Sequence, residues 1–513
     1  MKNTYDILVL GSGIGGLFAA LTAARASKRV LVLEAGKQFG GYLNPFRRGH
    51  YSFEPGLHYI GECGPGQSFS RLAEQLELGV SFREISPDGI DRIRLPGYEV
   101  LMPKGAGQYR DKLAADFPHQ KQGLDRFFAL LAEFREAIAA LNALTNSKMR
   151  FGNLIQLAKH SPFLARYGLA TFGDVLDSLI SDPILKAVLA AQGGDYGLPP
   201  SKASAMVGLG VLDHYLHGAY FPVGGSRALR DALVREIEGK GGELRRNERV
   251  SRILLQGNRA VGVRTEKGEE FKGRAIVSNI DAVVTYRDLI GEPYLSRLMK
   301  RKIQKTTYSP GSFCLFVGTD MDLAKAGMSD ANIWNYPSVD FNRCYAPISR
   351  GETADSAFFF LSSTSLKDPD CRDHAPPGHH TLEFVTLMPH APFSSWEGSK
   401  TMKRGESYEA LKEGFVQKSL EQIETILPGL RKHVKVLDSA TPLTNMSFAF
   451  APKGSIYGPE HTPLQIGPFR FAPKGALDGL FLCGSSVFGA GIVPCGISGH
   501  AAGKMAARSL DSK

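Results

Sequence analysis

Tyr5-Asp-Ile-Leu-Val-Leu-Gly-Ser-Gly-Ile-Gly-Gly16 reads as a buried strand running directly into a glycine turn. Leu17, Ala20, Leu21 and Ala24 then repeat at helical spacing, and Val30-Leu-Val-Leu33 forms a second apolar strand closed by Glu34. A strand, turn, helix and strand of this length, ending in an acid, make a complete dinucleotide-binding unit. Gly11 makes the tight turn, Gly13 lets the backbone approach a pyrophosphate, and Gly16 lets the helix lie close to the strand. Ser12, Ile14 and Gly15 fill the turn, whose N–H groups face phosphate oxygens at the start of the helix. Glu34, followed by Ala35, accepts hydrogen bonds from ribose hydroxyls.

With 513 residues the chain exceeds one core and predicts two to four domains. Its 43% hydrophobic and 22% charged residues are those of a globular protein. Six cysteines lie far apart, with no paired or zinc-like spacing, which predicts reduced thiols and a cytoplasmic setting. The first strand begins too early to leave room for a secretion signal ahead of it. No run reaches the roughly 20 apolar residues of a membrane span. The net charge of +10 is compatible with a solvated surface or with attraction to an anionic lipid surface. No nucleic-acid-binding module accompanies it, so nucleic acid is not an expected partner.

Two further blocks belong with the first. Tyr220-Phe-Pro-Val-Gly-Gly-Ser226 leads into a helix through Leu229, Leu233 and Ile237, stopped by Gly241-Gly242. Strand-like runs follow at Val250–Leu255, Ala260–Val263 and Ala275–Val277. Near the end, Gly479-Leu-Phe-Leu-Cys483 is a buried strand. A loop through Gly484, Ser485 and Gly491-Ile492-Val493 then enters a helix rich in alanine. Between these blocks, residues 121–144 carry a helical apolar stripe, and residues 148–170 mix basic with bulky apolar side chains, a possible membrane-docking element. Runs at Phe313–Val317, Phe358–Leu361 and Leu382–Leu387 predict a sheet. The expected fold is α/β, a Rossmann-type domain assembled from residues 1–70, 215–290 and 440–513. A mixed α+β substrate or lid domain, residues 71–214 and 291–439, is inserted into it.

Past Glu34 stand Gly40-Gly41 and then Phe46-Arg-Arg-Gly-His-Tyr-Ser-Phe-Glu54-Pro-Gly56-Leu57-His58-Tyr-Ile-Gly61. This resembles the FAD-binding families whose discontinuous, GR2-type dinucleotide fold carries a second glycine pair soon after the acid. Within them the chain is most similar to the carotenoid and retinoid group: phytoene desaturases, carotenoid isomerases and, above all, retinol saturases. The resemblance implies FAD as cofactor. It places Gly11, Gly13, Gly16, Glu34, Gly40 and Gly41 around the ADP half and Val250 at the adenine. It also places Gly56, Leu57 and His58 beside the flavin, and Gly484 through Val493 against the ribityl chain and ring. Two positions depart from the pattern. Tyr42 stands where an arginine usually follows the glycine pair, which leaves phosphate neutralisation to N–H groups and Arg47 or Arg48. Ser485 stands where an acid often bonds the ribityl hydroxyls.

Flavin moves hydride to or from carbon, so the resemblance implies chemistry at the carbon–carbon double bonds of a polyene: saturation, desaturation or isomerisation. An unsaturated fatty acid or other lipid olefin is the second reading, and a prenyl-lipid escort protein without redox chemistry is the third. Proton handling has four candidates, Glu54, His58, Glu460 and His461. Glu54 is equally suited to a helix cap, and His58 to packing against the cofactor. Asp213, His214 and His217 read as a polar loop. No metal-ligand spacing, nucleophile triad or second dinucleotide motif is visible, so NAD(P)H, quinone and oxygen all stay open as electron partners.

Overall fold

The computed structural model describes residues 3–145, 161–353 and 358–511. Two seven-stranded sheets organise it. In the first, Thr4–Leu10 lies between Val30–Leu33 and Glu270–Ser278, parallel to both, and Glu243–Arg245 continues the sheet beyond Val30–Leu33. Parallel strands covered on both faces are apolar throughout, and Val30–Leu33 is buried at every position. The strands Val250–Gln256, Arg259–Thr265 and Glu270–Ser278 form an antiparallel meander. The last of these carries Leu480–Leu482 on its far half, in parallel register. Strands from the N-terminal, middle and C-terminal segments thus share one sheet.

Small residues draw the two ends of the chain together. Helices Ile14–Arg25 and Ile492–Asp511 pack against each other on one face of the sheet. A Cβ at Gly499 would collide with the Gly15 carbonyl oxygen, and one at Gly503 would lie 2.5 Å from that of Ala19. Only glycine permits this backbone approach.

The second sheet runs in the order Val434–Ala440, Gly311–Thr319, His380–Met388, Phe359–Ser362, Asn332–Asn335, Asp91–Leu95 and Tyr98–Met102. Its pairs are antiparallel except Asn332–Asn335 with Asp91–Leu95. Helix Glu406–Glu424 contributes to the core on one side. Helices from Ala106–Asp116 to Ala205–Leu216 pack into an aromatic-rich core that includes Trp334 and Phe360.

Lys121–Thr145 is the long helix expected from its apolar stripe. Of the basic stretch 148–170, residues 148–160 lie outside the described part, and Pro162–Tyr167 is a short helix. Asp213 and His214 correct the polar-loop reading: both sit on helix Ala205–Leu216, with His217 at its end. Asp213 pairs with Arg135, His217 with Glu62, and His214 accepts from a backbone N–H. No helix among the described residues is long and apolar enough to cross a membrane.

Candidate active site

The glycine turn is built as a cradle. Gly11 has φ +84°, its N–H bonds the Leu33 carbonyl at 2.9 Å, and a Cβ on Gly16 would collide with the Gly11 carbonyl. Helix Ile14–Arg25 starts at Gly13 with no side-chain cap, so its first N–H groups face outward as an anion site. Gly40 N donates to Ser12 O at 3.1 Å, and a Cβ on Gly41 would lie 3.3 Å from Gly13 Cα. The two glycine motifs therefore form a single wall. Glu34 is buried, and it accepts from Ser12 N at 2.9 Å, from Gly36 N at 2.6 Å and from the Ser12 hydroxyl. These bonds fix its carboxylate beside Ala35 and leave lone pairs for a further donor. Glu248 N donates to Glu34 O at 2.8 Å, which carries the start of the Val250 strand to the same place.

The arginine beside the glycine pair comes from elsewhere in the chain. A Cβ at Gly40 would meet Arg230 Cδ at 2.7 Å, and Arg230 Nη1 donates to Asn44, which in turn donates to Gly41 O. Arg47 and Arg48 instead bind Asp373 and Asp438 on the outer hairpin. Arg230 is itself paired with Asp231, but of these three arginines only it stands against the glycine pair, so the expectation for Arg47 or Arg48 gives way to it. Arg230 lies on helix Gly225–Gly239, distant in sequence, and no local motif marks it.

Asn279 joins the N-terminal turn to the C-terminal loop. Its side chain stands where a Cβ on Gly13, Gly15 or Gly484 would have to go, and its N–H bonds Leu10 O at 2.9 Å. Gly484 has φ +87° and donates to Ser498 Oγ at 2.7 Å. The backbone then passes Ser485 and Gly491, where φ is +100°, into the helix that opens with Ile492 and Val493. Buried Arg470 braces this loop. Its guanidinium donates to the carbonyls of Ser485, Pro459, Glu460 and Gln465 and to no carboxylate. Burial pushes its pKa down to about 10, so it stays charged at neutral pH.

The turn from Gly56 to Gly61 is held from three sides. Tyr42 packs on Gly56, where a Cβ would lie 2.9 Å away, so the departure from arginine at 42 has a packing role. Gly61 N donates to His214 Nε2 at 2.9 Å, and Lys367 Nζ donates to His58 O at 2.7 Å. Leu57 is buried. His58 Nδ1 is buried without a partner, and burial together with the Lys367 charge pushes the imidazole down to about 3. It is therefore neutral, a hydrogen-bonding group rather than an acid.

The other proton-handling candidates scatter. Both Glu54 oxygens are taken by Ser226, through its N–H at 2.9 Å and its hydroxyl, at the start of helix Gly225–Gly239. That is the capping arrangement. Glu460 lies toward the surface, accepting from Thr307 Oγ1 at 2.6 Å. His461 is buried beside the C-terminal loop, where Ala490 N donates to its Nε2 at 3.2 Å. Burial and then the Arg470 charge hold it neutral.

A buried aromatic cluster adjoins His58, and it contains groups that sequence reasoning missed. Tyr59 stacks on Tyr215 with centroids 4.1 Å apart and planes 4° from parallel. Phe360 lies 5.3 Å from His58 and 4.8 Å from Trp334. Tyr59 donates to Asp195 Oδ2 at 2.8 Å, and burial pushes the Asp195 carboxyl up to about 8. The Tyr42 and Tyr345 hydroxyls and Gln192 Oε1 are buried without partners among the described residues. Unpaired polar atoms at this depth are costly unless something meets them. Beneath the rings, Lys367 also donates to Asn332 and Ser362, while Asp91 accepts from Gln192 at 2.8 Å and Asn332 at 2.9 Å. The one available signal was Asp195, a lone acid in the glycine-rich stretch 193–197.

The fold also gathers donor atoms of Asp368, Cys371 and His374 within 4.8 Å of one another, a grouping with no metal-ligand motif in sequence. Asp368 Oδ2 already accepts from Gly224 N at 2.8 Å and from His374 Nε2 at 3.1 Å.

The cradle fits a dinucleotide: uncapped N–H groups, glycines with no room for a Cβ, and a buried carboxylate at the strand end. Residues 14–503 match the family model of flavin containing amine oxidoreductases, and the chain belongs to that family, with FAD as its cofactor. It is 28% identical over 472 residues to all-trans-retinol 13,14-reductase of Danio rerio, covering 89% of this chain and 78% of the relative. It is 25% identical over 512 residues to chloroplastic prolycopene isomerase of Daucus carota, covering 97% and 79%. The fold is also that of a putrescine oxidase structure, with a TM-score of 0.65 at 13% identity over 99% of each chain.

Proposed function

We propose that this member of the flavin-dependent family acts on conjugated carbon–carbon double bonds of a hydrophobic polyene, a carotenoid or retinoid, by saturation or isomerisation. The observation that carries the reading is the buried aromatic cluster of Tyr59, Tyr215, Trp334 and Phe360, which meets the turn bearing His58 and has Lys367 and Asp195 as its charged neighbours. Flat aromatic walls suit a planar conjugated chain. The names of the two relatives, a retinol reductase and a prolycopene isomerase, support the same class of substrate.

In this reading Gly11–Gly16, Glu34, Ala35, Gly40, Gly41, Arg230 and Val250 hold the ADP half. Gly56–His58, Gly484, Ser485 and Gly491–Val493 line the redox end. Bound FAD supplies hydride chemistry at carbon. The chain's own residues do the rest. The stacked rings orient the polyene, the buried aromatic wall excludes water, and Asp195 keeps a proton on or next to the Tyr59 hydroxyl. Saturation adds one hydride and one proton across a double bond, whereas isomerisation adds neither overall. Residues 1–70, 215–290 and 440–513 form the cofactor domain, and 71–214 with 291–439 the substrate domain. The protein works in the cytoplasm at the inner face of a membrane, where such a substrate resides.

The test is anaerobic reduction of the FAD-loaded protein, followed by incubation with retinol and with carotenoids of defined geometry. A product heavier by two hydrogens identifies saturation, and an unchanged mass with altered retention identifies isomerisation. Turnover of an unsaturated fatty acid with no turnover of any polyene overturns the proposal.

A further inference from the structure

Helix Arg297–Lys305 has no buried residue: Met299 and Ile303 lean against the core from one face, and the opposite face is basic. Many surface arginines are paired, as in Arg25 with Glu77, Arg83 with Asp370 and Arg264 with Glu270. Among the described residues Arg297, Arg301 and Lys305 form no ion pair, and their i, i+4, i+8 spacing sets them along one stripe. Leu298 stands beside that stripe at 80% exposure.

One turn past Leu298, Lys302 turns toward the protein, donating to Arg470 O at 2.6 Å and lying 5.0 Å over the Phe471 ring. Thr307 bonds Gln465 from the same side. The neighbouring segment therefore packs against this helix, and it exposes Leu464 at 68% and Phe469 at 43%. Three large apolar side chains thus flank a row of unneutralised cations. Charge alone would suit any polyanion, but exposed leucine and phenylalanine among cations match the boundary between lipid headgroups and acyl chains. Through Arg470 the same segment is tied to the Ser485 carbonyl in the C-terminal glycine loop. The patch is thereby fixed rigidly to the redox end of the cradle.

We propose that helix Arg297–Lys305, with residues 464–469, docks this protein on an anionic lipid bilayer. The inference gives a location to the membrane setting in the proposed function, but it is tested without reference to turnover.

The experiment is cosedimentation of the full-length, FAD-loaded protein with vesicles of phosphatidylglycerol and phosphatidylcholine, against vesicles of phosphatidylcholine alone. The expected result is binding to the anionic vesicles that weakens with salt. It should fall at least about tenfold in R297E/R301E, since each basic residue near such a surface contributes a several-fold factor. L298S/L464S should lose binding while keeping its flavin spectrum and melting temperature. Equal binding to both vesicle types, no binding to either, or wild-type binding by R297E/R301E overturns the proposal. Loss of binding in the charge variant with none in L298S/L464S also overturns it, because the surface then meets a polyanion through charge alone. Failure to turn over a detergent-dispersed polyene counts against the substrate assignment and leaves the docking result unchanged.

Discussion

Lys367 Nζ donates to the His58 carbonyl oxygen at 2.7 Å, across 309 residues of sequence. A buried ammonium from the short helix Thr364–Lys367, which follows the central strand of the second sheet, thereby holds the turn Gly56–Gly61. Burial pushes the lysine's pKa down, and the carboxylates of Glu383 and Asp91 oppose that push. Lys367→Met should lower stability by about 3–5 kcal/mol, the cost of breaking a buried charged network from one side. Chemical denaturation measures the loss. Retention of wild-type stability would show that the carbonyl and the acids are satisfied without the lysine.

Asp195 predicts a pH dependence with a definite sign. Its folded-state pKa is raised to about 8, mainly by burial, so the folded protein holds a proton that the unfolded chain releases near pH 4. Its stabilising contribution is fully present below the unfolded value. It shrinks as pH rises and is gone once pH passes through the folded value near 8. Asp195→Asn should flatten this part of the melting temperature–pH curve. It should also remove an alkaline limb near pH 8 from the saturation rate while sparing isomerisation. A limb that persists in the variant would assign the proton to another group.

The phosphate end has its own test. Arg230→Ala should weaken FAD binding by about 1.5–3 kcal/mol, the usual worth of a hydrogen bond to a charged group. Arg47→Ala, on the outer hairpin, should leave affinity unchanged. Titration of the apoprotein with FAD, followed by fluorescence, separates the two.

Gly41 combines φ +59° with close approach to Gly13. Gly41→Ala should cost about 1–2 kcal/mol from the left-handed backbone alone. The variant should purify folded but with less yellow flavin per protein. Full flavin occupancy would mean that the two glycine motifs do not share the pyrophosphate wall.

Glu54 distinguishes a cap from a catalyst. Since Ser226 takes both of its oxygens, Glu54→Gln should lower the melting temperature modestly, consistent with a cap worth about 1 kcal/mol, and leave turnover close to wild type. A loss of several orders of magnitude in rate, with the melting temperature unchanged, would return the carboxylate to the chemistry.

Much of the cofactor cradle is legible in sequence because its geometry is local. Gly11, Gly13 and Gly16 follow a strand at fixed spacing, and Glu34 closes the next strand. Gly40-Gly41 and Gly484–Val493 are short backbone motifs whose residue types are dictated by positive φ and close approach. Three strands of the second sheet, around Phe313, Phe359 and Leu382, were also visible as apolar runs, but Asp91–Leu95, Tyr98–Met102, Asn332–Asn335 and Val434–Ala440 were not, nor was the strand order. The candidates for proton handling fared differently. Histidine and glutamate were chosen for their chemistry, but burial made His58 and His461 neutral, and hydrogen bonding made Glu54 a cap. Arg230, Asn279, Asp195 and Lys367 carry no local signature, since each acquires its role from a partner far away in the chain.

The sequence by itself determined that a dinucleotide binds at the N-terminal turn, that the family is one of FAD-binding proteins, and that three separated segments supply its strands. The dinucleotide site and the strand segments rest on backbone conformation and periodicity, which a few consecutive residues specify, whereas FAD is what the resemblance of the motifs implied. Only the tertiary structure decided which arginine approaches the glycine pair, which carboxyl keeps its proton, and which cations are left without partners. Ionisation and pairing depend on what surrounds a group in space, and that environment is assembled from the whole chain.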